Sequence, residues 1–220
     1  VMGNSVSSSS GVSSRVYKDG NWGFSSSPDL SDLAVEYVVK NASDNVLFMN
    51  KRKKEQCGFI LPDISGHYEI DLSTQQTRND QKQWIDFLRN IDDYIANKYS
   101  FLSSRTVVLS GLDMEKSLLT SAGSTSYSMT PRGIMYISLT MDNNGEPVDL
   151  MNVFGGLGQL EDHFLDPSHF YGDIDILVDH LQKKSKGVYA DAGVKEVILD
   201  ADLAGILAHE AIGHTTEADL

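Results

Sequence analysis

The chain has 220 residues, 40% of them hydrophobic and 22% charged, a balance ordinary for a globular protein with room for a sizeable core. Its 31 acidic residues against 18 basic ones leave a net charge of −13. That argues against a general nucleic-acid binder, which needs a basic face to neutralise phosphates.

The one dense basic run, Lys51-Arg52-Lys53-Lys54, reads as a solvated turn. A single cysteine, Cys57, excludes an internal disulfide and suits a reducing compartment. No apolar run is long enough to span a bilayer. The opening Val1-Met2-Gly3-Asn4-Ser5 lacks a signal peptide's charged start and apolar stretch. The cytoplasm is the expected location, with no membrane partner. The same residues do not read as the start of a domain.

Residues Ser5 to Ser14 are serine-rich, yet Val12 to Tyr17 and Trp22 to Ser25 are strand-like. Asp19-Gly20 between them is a hairpin turn signal. The serines are therefore expected in a strand or its approach. After Ser27-Pro28-Asp29 a helix is expected to about Asn41, capped by Asp29 or Ser31. Leu30, Leu33, Ala34, Tyr37 and Val38 share its apolar face. Val46 to Met49 reads as a weak strand, and Gly58, Pro62 and Gly66 break any long element in the region that follows.

Asn79 to Tyr99 is the clearest helix, with Trp84, Leu88, Ile91 and Ile95 in one stripe flanked by Phe87 and Tyr94. The period then changes to two. Arg105–Ser110, Glu115–Thr120, Ile134–Met141 and Val148–Phe154 read as four strands, the last two joined by the turn Asp142-Asn143-Asn144-Gly145. Together they predict an antiparallel meander packed with helices, an α+β layer. Gly155-Gly156-Leu157-Gly158 lacks the pattern of a phosphate loop and reads as a flexible or tightly turned connection. A helix over Asp173–Lys184 follows, then a short strand Lys195–Leu199.

The chemistry concentrates in the last stretch, an apolar helix expected to be buried and carrying His209-Glu210-Ala211-Ile212-Gly213-His214. A carboxylate between two imidazoles is a zinc-hydrolase donor set. The histidines are five apart, which in a regular α-helix turns them about 140° away from each other. Two such ligands reach one metal only if the helix loosens between them, through a π turn or an end near Gly213, the residue freest in its backbone. His209 and His214 would then be metal ligands. Glu210, next to a ligand and pointing elsewhere, would be a general base for an activated water. Glu217 and Asp219 are candidates to hold a histidine N–H or to cap the helix. Without further information, two polar residues at a fraying helix end remain an equal reading. His67, His163, His169 and His180 are scattered. The cluster of Glu161, Asp162, His163, Asp166 and His169 reads as a solvated loop, and Cys57 as an inert thiol.

Gly205 to Asp219, with its HExxxH core, resembles the metal helix of the TldD/TldE (PmbA) metallopeptidases, also named modulators of DNA gyrase, in their TldD-type catalytic form. Arg15 to Ser25 is similar to that family's early hairpin with its Trp-Gly-Phe. Pro131-Arg132-Gly133 and Gly155 to Gly158 are similar to further family stretches. The resemblance implies a zinc peptidase acting on unfolded or extended peptides. It implies a homodimer, or a heterodimer with a TldE-like subunit. It also implies a third zinc ligand, a cysteine that Cys57 does not match and that lies beyond Leu220. The expected organisation is an N-terminal α+β domain over residues 1–190, its start missing, followed by residues 191–220 as the beginning of the metallopeptidase domain. Such a fragment is expected to be inactive alone. The alternative is a non-catalytic regulatory or interaction subunit of a TldD/TldE-like complex. That subunit type lacks the histidine pair, so His209 and His214 argue against it.

Overall fold

A computed structural model describes residues 3–52 and 64–217. Cys57 and Asp219 lie outside these residues. By backbone contacts the chain divides into two compact units. One contains residues up to Glu69 together with Lys116–Tyr127, the other Ile70–Glu115 with the residues from Ser128 onward.

The first unit opens with the expected hairpin, β1 (Val12–Lys18) and β2 (Asn21–Ser27), paired antiparallel with Val16 opposite Gly23. Asp19 and Gly20 take left-handed angles, φ 51° and 81°, as the tight two-residue turn requires. The serines before Val12 form no regular structure. The helix α1 (Asp32–Arg52) packs on this hairpin and runs eleven residues past the expected end at Asn41. It absorbs Val46 to Met49, whose β-forming residues follow the helix because Val46 continues its buried stripe.

That stripe also differs from the expected one. The buried residues are Ala34, Val38, Ala42 and Val46, while Leu30, Leu33 and Tyr37 are exposed. The reason is the closeness of hairpin and helix. A Cβ on Gly23 would fall 1.9 Å from the Ala42 carbonyl oxygen, so only small or slender side chains fit between them. A three-stranded sheet in the order β3 (His67–Asp71), β6 (Thr125–Met129), β5 (Glu115–Leu119) carries most of its residues in this unit as well.

The second unit is built on α2 (Gln81–Lys98), β4 (Leu102–Leu112), β7 (Arg132–Asn143), β8 (Glu146–Leu157) and α4 (Tyr171–Lys184), with a short helix α3 (Leu160–His163) before α4. The start of α2 is fixed by a reciprocal capping box. Asp80 accepts the Gln83 N–H at 2.8 Å, and the Gln83 side chain accepts the Asp80 N–H at 2.8 Å, satisfying two donors the helix end leaves open. The expected four-strand meander is corrected here. The sheet order is β4-β7-β8, and β5 leaves it for β6 and β3. Strand β4 therefore pairs directly with β7, Val107 opposite Ile137 and Leu109 opposite Met135, a register that puts these apolar side chains on the same face of the sheet. The class remains α+β, antiparallel sheets packed against helices.

The core lies between one face of this sheet and the two long helices. Phe87, Ile91 and Ile95 of α2 meet Met135, Ile137 and Leu139 of β7, together with Phe164 and with Ile174, Leu177, Val178 and Leu181 of α4. Phe87 is thus central to the stripe rather than flanking it. Edge-on aromatic contacts of Phe87 with Phe164 and Phe170, at 6.0 and 6.2 Å, close one end of the core. The glycine run ends β8 as strand and not as a loose connection. Gly155 has φ 94°, and a Cβ there would meet the Gly133 oxygen at 2.2 Å.

Residues 191–199 form no strand, so Lys195–Leu199 does not pair as expected. The chain ends in α5 (Ala201–Ala208), capped by Asp200, whose carboxylate accepts the Leu203 N–H at 2.8 Å. No helix is long and apolar enough to cross a membrane among the described residues.

Candidate metal centre

The end of α5 changes its winding twice. After Ala208 the chain makes a π turn over His209–Gly213 and then a 3-10 turn over His214–Thr216. The His214 N–H donates to the His209 carbonyl oxygen, five residues back. The spacing of five between the histidines demands this step, because a wider turn brings their side chains back to one side. The imidazole rings lie 4.7 Å apart at 75°.

Gly213 does not supply the freedom expected of it. Its angles are ordinary helical ones, φ −56° and ψ −56°, and a Cβ there would make only van der Waals contact with the His209 Nδ1 at 3.7 Å. The π turn is thus accommodated without a residue-specific backbone angle.

Donor atoms of His209, Glu210 and His214 all lie within 4.8 Å of one another. The expectation that Glu210 points elsewhere is corrected. Its Oε2 is 3.5 Å from His214 Nε2, a contact between residues four apart, which a helix places on one side. On the other side of the same ring, His214 Nδ1 donates to Glu217 Oε1 at 2.9 Å. A proton held on Nδ1 leaves the Nε2 lone pair free, the tautomer a metal ligand needs. Glu217 therefore stands where an orienting carboxylate would stand.

The donor set fits zinc. Two imidazole nitrogens on one tetrahedral zinc, each about 2.0–2.1 Å from it, sit roughly 3.3 Å apart, and the donor atoms of this cluster lie within 4.8 Å of one another. The site is open to solvent, with the side chains of His214 and Glu210 45% and 63% exposed. Nor is its helix buried, as its apolar sequence suggests. Leu203, Ile206, Leu207 and Ile212 are 48%, 56%, 54% and 64% exposed.

The other imidazoles are not brought together. His67 meets Thr125 at 2.8 Å, His163 meets the Leu157 carbonyl at 3.1 Å, and His169 lies 3.6 Å from Asp166. The acidic cluster expected to be a solvated loop is in part a buried lock. Glu161 is 1% exposed. Its Oε1 accepts the Asn79 N–H at 2.9 Å, and its Oε2 faces Arg78 Nε at 3.1 Å. Asp162 accepts from Thr74 Oγ1 at 2.6 Å and from the Gln159 N–H at 2.8 Å. The Thr74 hydroxyl and these partners hold the Asp162 carboxyl below the usual range. The sequence carries no signal for this, since Arg78 lies far from Glu161 along the chain and charge spacing does not show which acid is buried.

Residues 1–46 match the family model described as PmbA/TldA metallopeptidase domain 1. The chain is also similar to a curated metalloprotease of Methanocaldococcus jannaschii, 26% identical over 215 residues, covering 96% of this chain. It spans about half of that relative's length, 46%. The match to the family's first domain and the similarity to a curated metalloprotease together support the TldD/PmbA metallopeptidase family for this chain.

Proposed function

We propose that this chain carries the metal-binding helix of a zinc-dependent peptidase that cleaves unfolded or extended peptides. The observation that supports it most is the convergence of His209, Glu210 and His214 through the π turn. His209 and His214 would hold zinc, with a third ligand, a cysteine, supplied from outside the described residues. When bound, zinc supplies the Lewis acidity that makes a water nucleophilic towards a peptide carbonyl. Glu210 would take a proton from the attacking water on its carboxylate and pass it to the departing amine. Glu217 fixes the His214 ring by accepting its Nδ1–H, and Asp219 is a further candidate for that shell. The protein works in the cytoplasm as a homodimer or with a TldE-like subunit. Direct DNA binding is disfavoured by the charge of −13.

The full-length protein containing this chain tests the reading by zinc titration and peptide cleavage. His214→Ala is expected to abolish zinc binding. Glu210→Gln is expected to keep the metal and lose cleavage by at least about a hundredfold, the usual scale of a general base. Full activity in Glu210→Gln would sink the base assignment. The second reading, a non-catalytic subunit, would be favoured by zinc binding without cleavage of any unfolded peptide. The histidine pair, which the non-catalytic type lacks, speaks against it.

A further inference from the structure

The winding of the helix end falls from a five-residue to a three-residue step within four residues. His214 N–H donates to His209 O, and Glu217 N–H donates to His214 O at 3.3 Å. A change of step misaligns the carbonyls in between with the backbone donors that follow. Two of them are taken up by side chains. Thr215 Oγ1 donates to the Ile212 oxygen at 2.8 Å, and Thr216 Oγ1 donates to the Gly213 oxygen at 2.8 Å. Both threonines stand between His214 and Glu217, in the turn that the 2.9 Å imidazole–carboxylate contact spans.

We infer that Thr215 and Thr216 are positioning residues, whose hydroxyls lock the π-to-3-10 junction so that Glu217 stays opposite His214 Nδ1 and the Nε2 edge stays on the side of the metal-type donors. The inference rests on the reading of this helix as a metal site. The physical logic is one of selection. Both residues are exposed, so water could satisfy the Ile212 and Gly213 carbonyls if the hydroxyls were absent. The hydroxyls add little to burial or to helix stability, since a threonine bonding back to its own helix is locally near neutral. What they add is geometry. Each ties a side chain whose χ1 is already restricted to a carbonyl one turn back, leaving a single arrangement of the turn between ligand and orienting carboxylate. A loose turn would let Glu217 swing away and the His214 ring exchange tautomers.

The test compares the full-length protein containing this chain with its Thr215→Val/Thr216→Val and Thr215→Ser/Thr216→Ser variants. Valine keeps the shape and removes the hydroxyl; serine restores it. The primary measurement is the His214 tautomer by nitrogen-15 NMR at a pH where the imidazoles are neutral. The wild type and the serine pair should hold the proton on Nδ1, and the valine pair should show a tautomer mixture. In parallel, titration with zinc alone should show affinity lowered about tenfold in the valine pair, the scale of lost outer partners, and recovered in the serine pair. A valine pair with the wild-type tautomer overturns the inference, as does a serine pair that fails to restore it. If the wild type binds zinc no better than His214→Ala, the metal reading fails, while the tautomer still decides the role of the threonines.

Discussion

Phe164 and Leu207 are both large apolar side chains of the same compact unit, yet Phe164 is wholly buried and Leu207 is 54% exposed. Around Phe164, the sheet β4-β7-β8 and the helices α2 and α4 bury apolar side chains against one another. Around His209 and His214, an equally apolar helix buries none. The first region has stability and no cluster of ligating groups. The second has the ligating groups and makes its contacts chiefly with itself. The difference teaches that the chemistry here is organised by local winding, through hydrogen bonds a few residues long, and not by a packed cavity.

Substitutions at four positions test that contrast, in descending order of expected effect. Phe164→Ala removes a fully buried ring with three aromatic neighbours, Phe87, Phe170 and His163, and should cost about 4 kcal/mol in urea unfolding. A cost under about 1 kcal/mol would show that the core is not packed as described. Glu161→Ala leaves the Asn79 N–H without its acceptor and Arg78 without its buried partner. Since Arg78 is half exposed, a loss of about 2 kcal/mol is expected, less than for a fully buried pair. Glu161→Gln should recover roughly half of it by keeping an acceptor for Asn79.

Asp175 gives a pH-dependent term. Burial pushes its carboxyl up, but hydrogen bonds from Lys98, Tyr99 and Tyr94 outweigh this and hold it below the usual range. A folded-state value depressed in this way gives stability that is present above the ordinary carboxylate range, about pH 3.9, and is lost as pH falls through the lowered folded value. Asp175→Asn should therefore be less stable than wild type at neutral pH, by under about 1 kcal/mol because the group is 39% exposed. The gap should close in acid, read as the difference in unfolding midpoints against pH. A gap that stays constant down to about pH 2 would show the interaction is not with the charged carboxylate.

Leu207→Ala, finally, should change the unfolding free energy by no more than about 0.5 kcal/mol, the scale of surface substitutions. A loss near that of Phe164→Ala would mean the terminal helix is packed in solution, and would erase the contrast between the two regions.

Local signals carried much of the structure. The Asp-Gly turn announced the hairpin. The apolar stripe of α2 announced that helix, and Asn144-Gly145 announced the β7–β8 turn, with Asn144 at φ 58°. What failed was long-range. The departure of β5 to a second sheet depends on β4 finding β7 across some twenty residues, and no local pattern records a partner. The stripe of α1 was misread because apolar periodicity ranks Leu33 and Tyr37 above Ala34 and Ala42, whereas close contact with Gly23 selects the small residues. Glu161 was missed because a buried acid and a solvated one look alike until the cation beside it is known.

The residue types and spacing alone established the metal-type donor set and, with five residues from His209 to His214, that a regular helix cannot continue between them if both are to share one side. A regular α-helix turns two such side chains about 140° apart, so it must either widen or end near Gly213. Only the tertiary structure decided which widening occurs, that it needs no special angle at Gly213, and that Glu210 swings towards His214 while Glu217 holds its far side. Those outcomes depend on how carbonyls and side chains compete for hydrogen bonds once the winding changes, a competition that spacing alone does not resolve.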